Sequence, residues 1–216
     1  MRIAVLGAGY AGLTLARKLE RTVPDDVEIL VVEKTGRHLV QHEVHRAIRR
    51  PSLADDIVVE LGEVLDRAEV RQAEVTDVDP EENVVSLSSG ATIEYDYAGV
   101  CLGAETAFYG LPGVEENATP LKTLDDADRI RADFLDALDA GDAGDADDAG
   151  ESAETSPDSS ARVVVGGAGL SGVQVAGELA AFAREEGGRE SVTITLLEQL
   201  AEVAPAFPAN FQSAVR

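Results

Sequence analysis

The chain has 216 residues, enough to bury one sizeable core or two modest ones. It carries 41 acidic residues against 18 basic ones, and a net charge of -23 would repel phosphates, which excludes nucleic acid as a partner. Hydrophobic residues make up 44% of the chain, a globular proportion, and the longest apolar runs have strand length, so no transmembrane helix is expected.

Only three of the basic residues are lysine: Lys18, Lys34 and Lys122. Acid excess with arginine in place of lysine is expected of a protein from a high-salt cytoplasm, where ions screen the self-repulsion. Met1-Arg2-Ile3 leads straight into a strand, which argues against a signal peptide. Cys101 is the single cysteine, so no intramolecular disulfide can form, and its apolar neighbours Val100 and Leu102 make it a small buried hydrophobe. A cytoplasmic location is the resulting expectation.

In chain order, the opening predicts β-α-β. Ile3 to Leu6 is a buried strand, and Ala11 to Arg21 a helix with Leu13, Leu15, Ala16 and Leu19 on its inner face. Val27 to Val32 is a second strand beyond the Pro24-Asp25-Asp26 turn. Such a crossover sets the two strands parallel and adjacent. Residues 36–67 are mixed, with a helix or two around Pro51. After Val70, Asn83 to Leu87 and Ala91 to Tyr95 predict a hairpin across Ser88-Ser89-Gly90, and Tyr97 to Leu102 another strand.

Leu124 to Leu138 places Ile130, Phe134, Leu135 and Leu138 at helical spacing. From Asp139 to Ser160 the composition is nearly all Asp, Ala, Gly, Glu and Ser. Such a segment lacks the apolar surface that offsets the cost of ordering a chain, so a disordered acidic insertion is expected over 139–160. The β-α-β pattern then restarts with a strand Arg162 to Val165. A helix Val173 to Glu185, packing through Val175, Leu179 and Phe182, and a strand Val192 to Leu197 follow. Residues 205–216 predict the start of another helix.

Two glycine-rich turns carry the functional signal. Gly7-Ala8-Gly9-Tyr10-Ala11-Gly12 follows the first strand, and Gly167-Ala168-Gly169-Leu170-Ser171-Gly172 follows Val163-Val164-Val165. Each is G-x-G-x-x-G between a strand and a helix, the context that makes this a dinucleotide-binding pattern. Gly7 and Gly167 allow the tight turn, Gly9 and Gly169 let a pyrophosphate approach the backbone, and Gly12 and Gly172 let the helix pack closely. Phosphates then meet unpaired amide hydrogens at the positive end of a helix. An acid at the end of the following strand grips the adenosine ribose: Glu33 in the first unit, Glu198 in the second. A carboxylate there favours NAD over NADP, because it repels a 2'-phosphate.

These elements predict an α/β protein with two Rossmann-type units on parallel sheets plus a small β-hairpin or meander. Residues 1–112 form the first unit, and 113–216 the start of the second, which is incomplete. Two nucleotides on one chain suggest electron transfer between them.

The sequence resembles the two-dinucleotide flavoprotein reductases and, within them, the type II NADH dehydrogenases. Val5 to Leu13 matches that family's FAD turn. Lys34, His38 and His45 fall where relatives often carry Lys and His. Leu102-Gly103-Ala104 is similar to the strand end that approaches the flavin, and Lys122 to Ala127 to the opening of the NADH domain. Val165 to Gly172, with Gly177-Glu178-Leu179, resembles the NADH turn and helix. The resemblance implies FAD held by Gly7, Ala8, Gly9, Tyr10, Ala11, Gly12, Glu33, Lys34, Val75, Gly103 and Ala104. It implies NADH held by Gly167, Gly169, Leu170, Ser171, Gly172 and Glu198, so that residues 1–112 are an FAD-binding domain lacking its C-terminal return and 113–216 the start of an NADH-binding domain.

It further implies hydride transfer from NADH to the flavin and electrons passed to a quinone, with no side chain here as acid or base and no metal. Family members are homodimers at the inner face of the cell membrane, reached through C-terminal residues. One cysteine excludes a redox-active disulfide within these residues. Two other readings stay open: a reductase of a protein acceptor such as ferredoxin, and a non-catalytic nucleotide-binding or redox-sensing module.

Three departures from the family stand out. Gln174 replaces a Glu on the NADH helix, and Gln can carry neither charge nor proton. Val40-Gln41-His42 lacks a Thr pair, leaving His42 as either a flavin neighbour or a solvated helix-end histidine. Relatives are longer, and their C-terminal half returns to complete the FAD domain. The present residues are therefore expected to be a fragment, a split product or a remnant, and to hold FAD weakly on their own.

Overall fold

A computed structural model describes residues 1–146, 161–187 and 192–215. In chain order the elements are β1 (Arg2–Leu6), α1 (Tyr10–Thr22), β2 (Glu28–Glu33), β3 (Arg37–Leu39), α2 (Val44–Arg49), β4 (Val58–Glu60), α3 (Leu61–Val64) and β5 (Glu69–Gln72). They continue with β6 (Val75–Asp79), β7 (Val84–Leu87), β8 (Thr92–Glu94), β9 (Tyr97–Val100), α4 (Val114–Asn117) and α5 (Leu124–Ala146). Last come β10 (Ala161–Gly166), α6 (Leu170–Glu185), β11 (Val192–Leu197) and α7 (Ala209–Val215). The α/β class with parallel sheets is the expected one. The chain divides into two compact units: Met1–Val40 with Asp55–Ala107, and Gln41–Ala54 with Phe108–Arg216.

The first unit is built on a parallel sheet of order β5-β2-β1-β9, with Ile3 opposite Ile29 and Ala4 opposite Ala98. β1 and β2 are almost wholly apolar because both faces of the sheet are covered. Alternate residues point to opposite faces. Leu6, Leu30 and Val32 pack with Val85, Leu87 and Ile93 of the antiparallel meander β6-β7-β8. Val5 and Val31 pack with Ala16 of α1 and with Leu61 and Leu65. The expected hairpin is β7-β8, and β6 extends it to three strands with an irregularity between Val75 and Asp77.

The mixed stretch after residue 36 holds two strands that periodicity did not reveal. β3 and β4 pair antiparallel, His38 opposite Val59. Three-residue strands are too short for a period-2 pattern to show. A single arginine fastens the far end of α1. Arg67 donates from Nη1 to the carbonyls of Glu20 (3.0 Å) and Val23 (3.1 Å), and from Nη2 to those of Pro24 (3.0 Å) and Val27 (3.2 Å). Its fork of donors meets carbonyls of the last turn of α1 and of the loop that follows, where the Pro24 carbonyl also accepts from the Val27 N–H.

In the second unit β10 and β11 run parallel in register, Ala161 opposite Val192 through Gly166 opposite Leu197. Leu179 and Phe182 of α6 are buried, and Phe134 of α5 meets Phe182 with ring centres 5.5 Å apart. Helix α2 belongs to this unit and is held by two arginines. Arg49 pairs with Glu178 at 2.6 Å and with Glu185 at 2.6 Å. Arg131 donates to the carbonyls of Ile48 (3.0 Å) and Arg49 (3.1 Å) while its guanidinium lies 4.4 Å over the Phe182 ring.

Two expectations change. Helix α5 runs on through Ala146 rather than giving way at Asp139, because extending a helix already nucleated costs far less than starting one, even across Gly141 and Gly144; residues 147–160 of the expected insertion lie outside the described residues. Cys101 is half-buried, not buried, since it follows the edge strand β9. Among the described residues, no helix is long and apolar enough to cross a membrane.

Arg67→Ala strips donors from four carbonyls and is expected to cost about 2 kcal/mol of unfolding free energy by urea titration, with Arg67→Lys recovering less than half. Equal stability of Arg67→Ala and the wild type would refute the anchoring role.

Candidate functional site

Both glycine turns adopt one backbone path. Gly7 and Gly167 each have φ +89°, a left-handed value that glycine takes without strain. At Gly7 a Cβ would also strike the Cys101 carbonyl oxygen. Gly9 and Gly169 are extended N-cap residues at φ -63° and -68°, opening α1 and α6. An added Cβ at either would meet nothing within 4 Å, so the space in front of these helix ends is open to a ligand. Residues Tyr10 and Ala11, and Leu170 and Ser171, form the exposed first turns of the two helices.

Gly12 and Gly172 serve a role slightly different from the one expected. A Cβ at Gly12 would run into the Gly7 carbonyl oxygen, and one at Gly172 into that of Gly167. The close approach is therefore chiefly between the helix and its own preceding turn. The strand end comes second: the same Cβ at Gly12 would sit 3.2 Å from the Cys101 Cβ.

The residue between the first two glycines is gripped from both sides. The Ala8 N–H donates to Glu33 Oε2 at 2.7 Å, and the Ala168 N–H to Glu198 Oε2 at 2.8 Å. The second oxygen of each carboxylate accepts from the amide two residues on, Thr35 at 3.3 Å and Leu200 at 3.0 Å. A carboxylate offers about four acceptor positions. Each acid thus fixes its turn and keeps acceptor capacity for ribose hydroxyls. Backbone N–H groups of Leu200, Ala168 and Gln199 hold the Glu198 carboxyl below the usual Glu range.

The carbonyl side of the grip differs between the units. His38, buried on β3, lies with Nδ1 2.8 Å from the Ala8 carbonyl oxygen. A carbonyl only accepts, so Nδ1 carries the hydrogen. The His38 ring stands edge-on to Tyr10, centres 5.0 Å apart. In the second unit the backbone N–H of Ala204 donates to the Ala168 carbonyl at 2.7 Å. Ala204 is fully buried at φ +50°, held by the segment in which Gln212 donates to Phe207 and Phe207 stacks on Phe211.

The other expected residues lie around these turns. Lys34 follows Glu33 and pairs with Glu74 at 2.8 Å. Val75 opens β6. Gly103 (φ +82°) and Ala104 follow β9 in exposed coil, on the β1 side of the sheet. Gln174 sits half-buried on α6. His42 is largely exposed in a 3-10 turn, 3.5 Å from Glu43. His45 is half-buried on α2, and that burial lowers its basicity. Sequence reasoning missed the roles of His38 and Ala204, whose partners are remote in sequence, and of Glu178, which is the mate of Arg49.

The glycines sort by what surrounds them. Gly12→Ala and Gly172→Ala are each expected to cost about 1–3 kcal/mol of stability by overpacking. Gly9→Ala is expected to stay within about 0.5 kcal/mol of wild type in the same urea titration. A destabilised Gly9→Ala would mean that the space in front of α1 is not open.

Similarity to known proteins agrees with this geometry. The chain is 28% identical over 181 residues to a type II NADH:quinone oxidoreductase of Staphylococcus aureus, covering 82% of this chain and 42% of the relative. It is 28% identical over 214 residues to one from Staphylococcus saprophyticus, covering 95% of this chain and 51% of the relative. The chain thus spans about half the length of these relatives. Its fold matches NDH2 of Plasmodium falciparum with a TM-score of 0.79 at 21% identity, over 98% of this chain and 44% of that one. The sulfide:quinone oxidoreductase of Aquifex aeolicus matches with a TM-score of 0.74 at 21% identity, over 99% and 47%. The family model for pyridine nucleotide-disulphide oxidoreductases matches residues 1–216, and the chain belongs to that family.

Proposed function

We propose that this chain carries the two nucleotide units of a flavin-dependent NADH:quinone oxidoreductase, FAD on Gly7–Gly12 and NADH on Gly167–Gly172. The observation that carries this is the repetition of one geometry. In each unit the turn's second residue donates to the acid ending the next strand, in front of an open helix end. The names of the Staphylococcus relatives support NADH as donor and quinone as acceptor.

Bound FAD supplies an acceptor for the hydride of NADH and a donor of electrons to the quinone. The chain's own residues bind and orient. The amides that open α1 and α6 face the pyrophosphates, and Glu33 and Glu198 accept from ribose hydroxyls. Lys34 and Val75 border the adenosine end of the first site, while Gly103 and Ala104 lie toward the flavin. Exposed Leu170 and Ser171 flank the second pyrophosphate. Glu198 selects NADH over NADPH by repelling a 2'-phosphate. A quinone acceptor places the protein at the inner face of the cell membrane as a step of a respiratory chain, and the acid excess suits a saline cytoplasm.

Anaerobic addition of NADH to the FAD-loaded chain is expected to bleach the visible flavin absorbance, and a quinone to restore it. No bleaching by NADH would contradict hydride transfer, and restoration by ferredoxin but not quinone would point to a protein acceptor.

The lowered Glu198 pKa gives a pH signature. A carboxyl held low when folded contributes its bonds above the ordinary Glu pKa and loses them as pH falls through the lowered value. NADH affinity should stay constant on acidification through the ordinary carboxylate range and fall only below it. Glu198→Gln should weaken NADH at least about tenfold near neutrality and remove that acid limb. An acid limb persisting in Glu198→Gln would assign the titration to another group.

A further inference from the structure

We propose that His38 is a positioning residue for the first nucleotide turn: by holding the Ala8 carbonyl it aims the Gly9 N–H at the pyrophosphate of the bound dinucleotide. This rests on the assignment of FAD to that turn. Three facts carry it. The His38 Nδ1–H reaches the Ala8 carbonyl at 2.8 Å from a buried ring. A trans peptide is planar, so the Ala8 C=O and the Gly9 N–H of one peptide point in opposite directions. Among the described residues, no protein group accepts from the Gly9 N–H, and nothing would touch a Cβ at Gly9 within 4 Å.

The neighbouring peptide is fixed independently, since the Ala8 N–H is taken by Glu33. Glu33 and His38 therefore hold two consecutive peptides of the turn, one by its hydrogen and the next by its oxygen. The second unit makes the same pair of bonds with Glu198 and the backbone of Ala204. The requirement for a donor at this carbonyl is thus met twice by different chemistry. In the first turn the donor is a side chain and can be removed.

Two substitutions separate the donor from the ring. His38→Asn keeps a side-chain N–H near the Nδ1 position and drops the ring; His38→Phe keeps a ring beside Tyr10 and drops the donor. Crystal structures of the FAD-free proteins should show the Ala8–Gly9 peptide unmoved in His38→Asn and rotated in His38→Phe. FAD titration should give an affinity within about threefold of wild type for His38→Asn and at least about tenfold weaker for His38→Phe, a loss of about 1.4 kcal/mol. NADH titration should be unchanged in both and reports on the second unit, while the crystal structures report that the first unit is folded. An unrotated peptide in His38→Phe, or FAD binding weaker in His38→Asn than in His38→Phe, overturns the proposal. If the first unit of His38→Phe does not fold, His38→Leu replaces it under the same criteria. A wild-type chain that takes up no FAD refutes the site assignment instead, and the crystal structures still decide the orientation.

Discussion

The grip on the residue after the first glycine, its N–H held by an acid and its C=O held by a second donor, is the constraint on which both halves of this molecule depend. A glycine-rich turn is by itself loose, because glycine loses more conformational freedom on folding than any other residue. Here Ala8 and Ala168 are almost completely buried and hydrogen-bonded on both sides. Ordering is thereby completed before a ligand arrives, which lowers the entropic cost of binding. The same acid serves both purposes: one of its oxygens closes the turn while the carboxylate keeps acceptor capacity for a ribose.

Around that grip the two units solve the same problem with different materials. The first surrounds its parallel sheet with α1 on one face and the meander on the other, and takes its second donor from a buried histidine. The second takes its donor from backbone at Ala204 and recruits α2 from the stretch Gln41–Ala54, where Arg49 meets Glu178. That ion pair is only 13% and 15% exposed, so losing one partner would leave the other a nearly buried, unpaired charge. Glu178, which with Gly177 and Leu179 carries the resemblance to the NADH helix, thus has a structural mate.

The sequence was most informative where local chemistry alone sets the structure. Continuous apolar runs became β1, β2 and β10, and Leu13, Leu15 and Leu19 marked the inner face of α1. Glycine spacing and the terminal acids located both turns, since Gly7 and Gly167 take a left-handed φ and Gly12 and Gly172 lie against the carbonyls of their own turns. What it did not reveal depends on partners far along the chain. His38 bonds Ala8, and Arg67 reaches back to the end of α1. Arg49 finds Glu178 on a distant helix. None of these has a periodic or spacing signal, and β3 and β4 are too short to have one.

Two turns of one geometry should hold two different dinucleotides on the chain at once. Equilibrium dialysis of the chain against FAD and NADH, separately and together, counts the occupied sites. One FAD and one NADH per chain are expected at saturation, additive when both are present. Competition between FAD and NADH for a single place on the chain would contradict it.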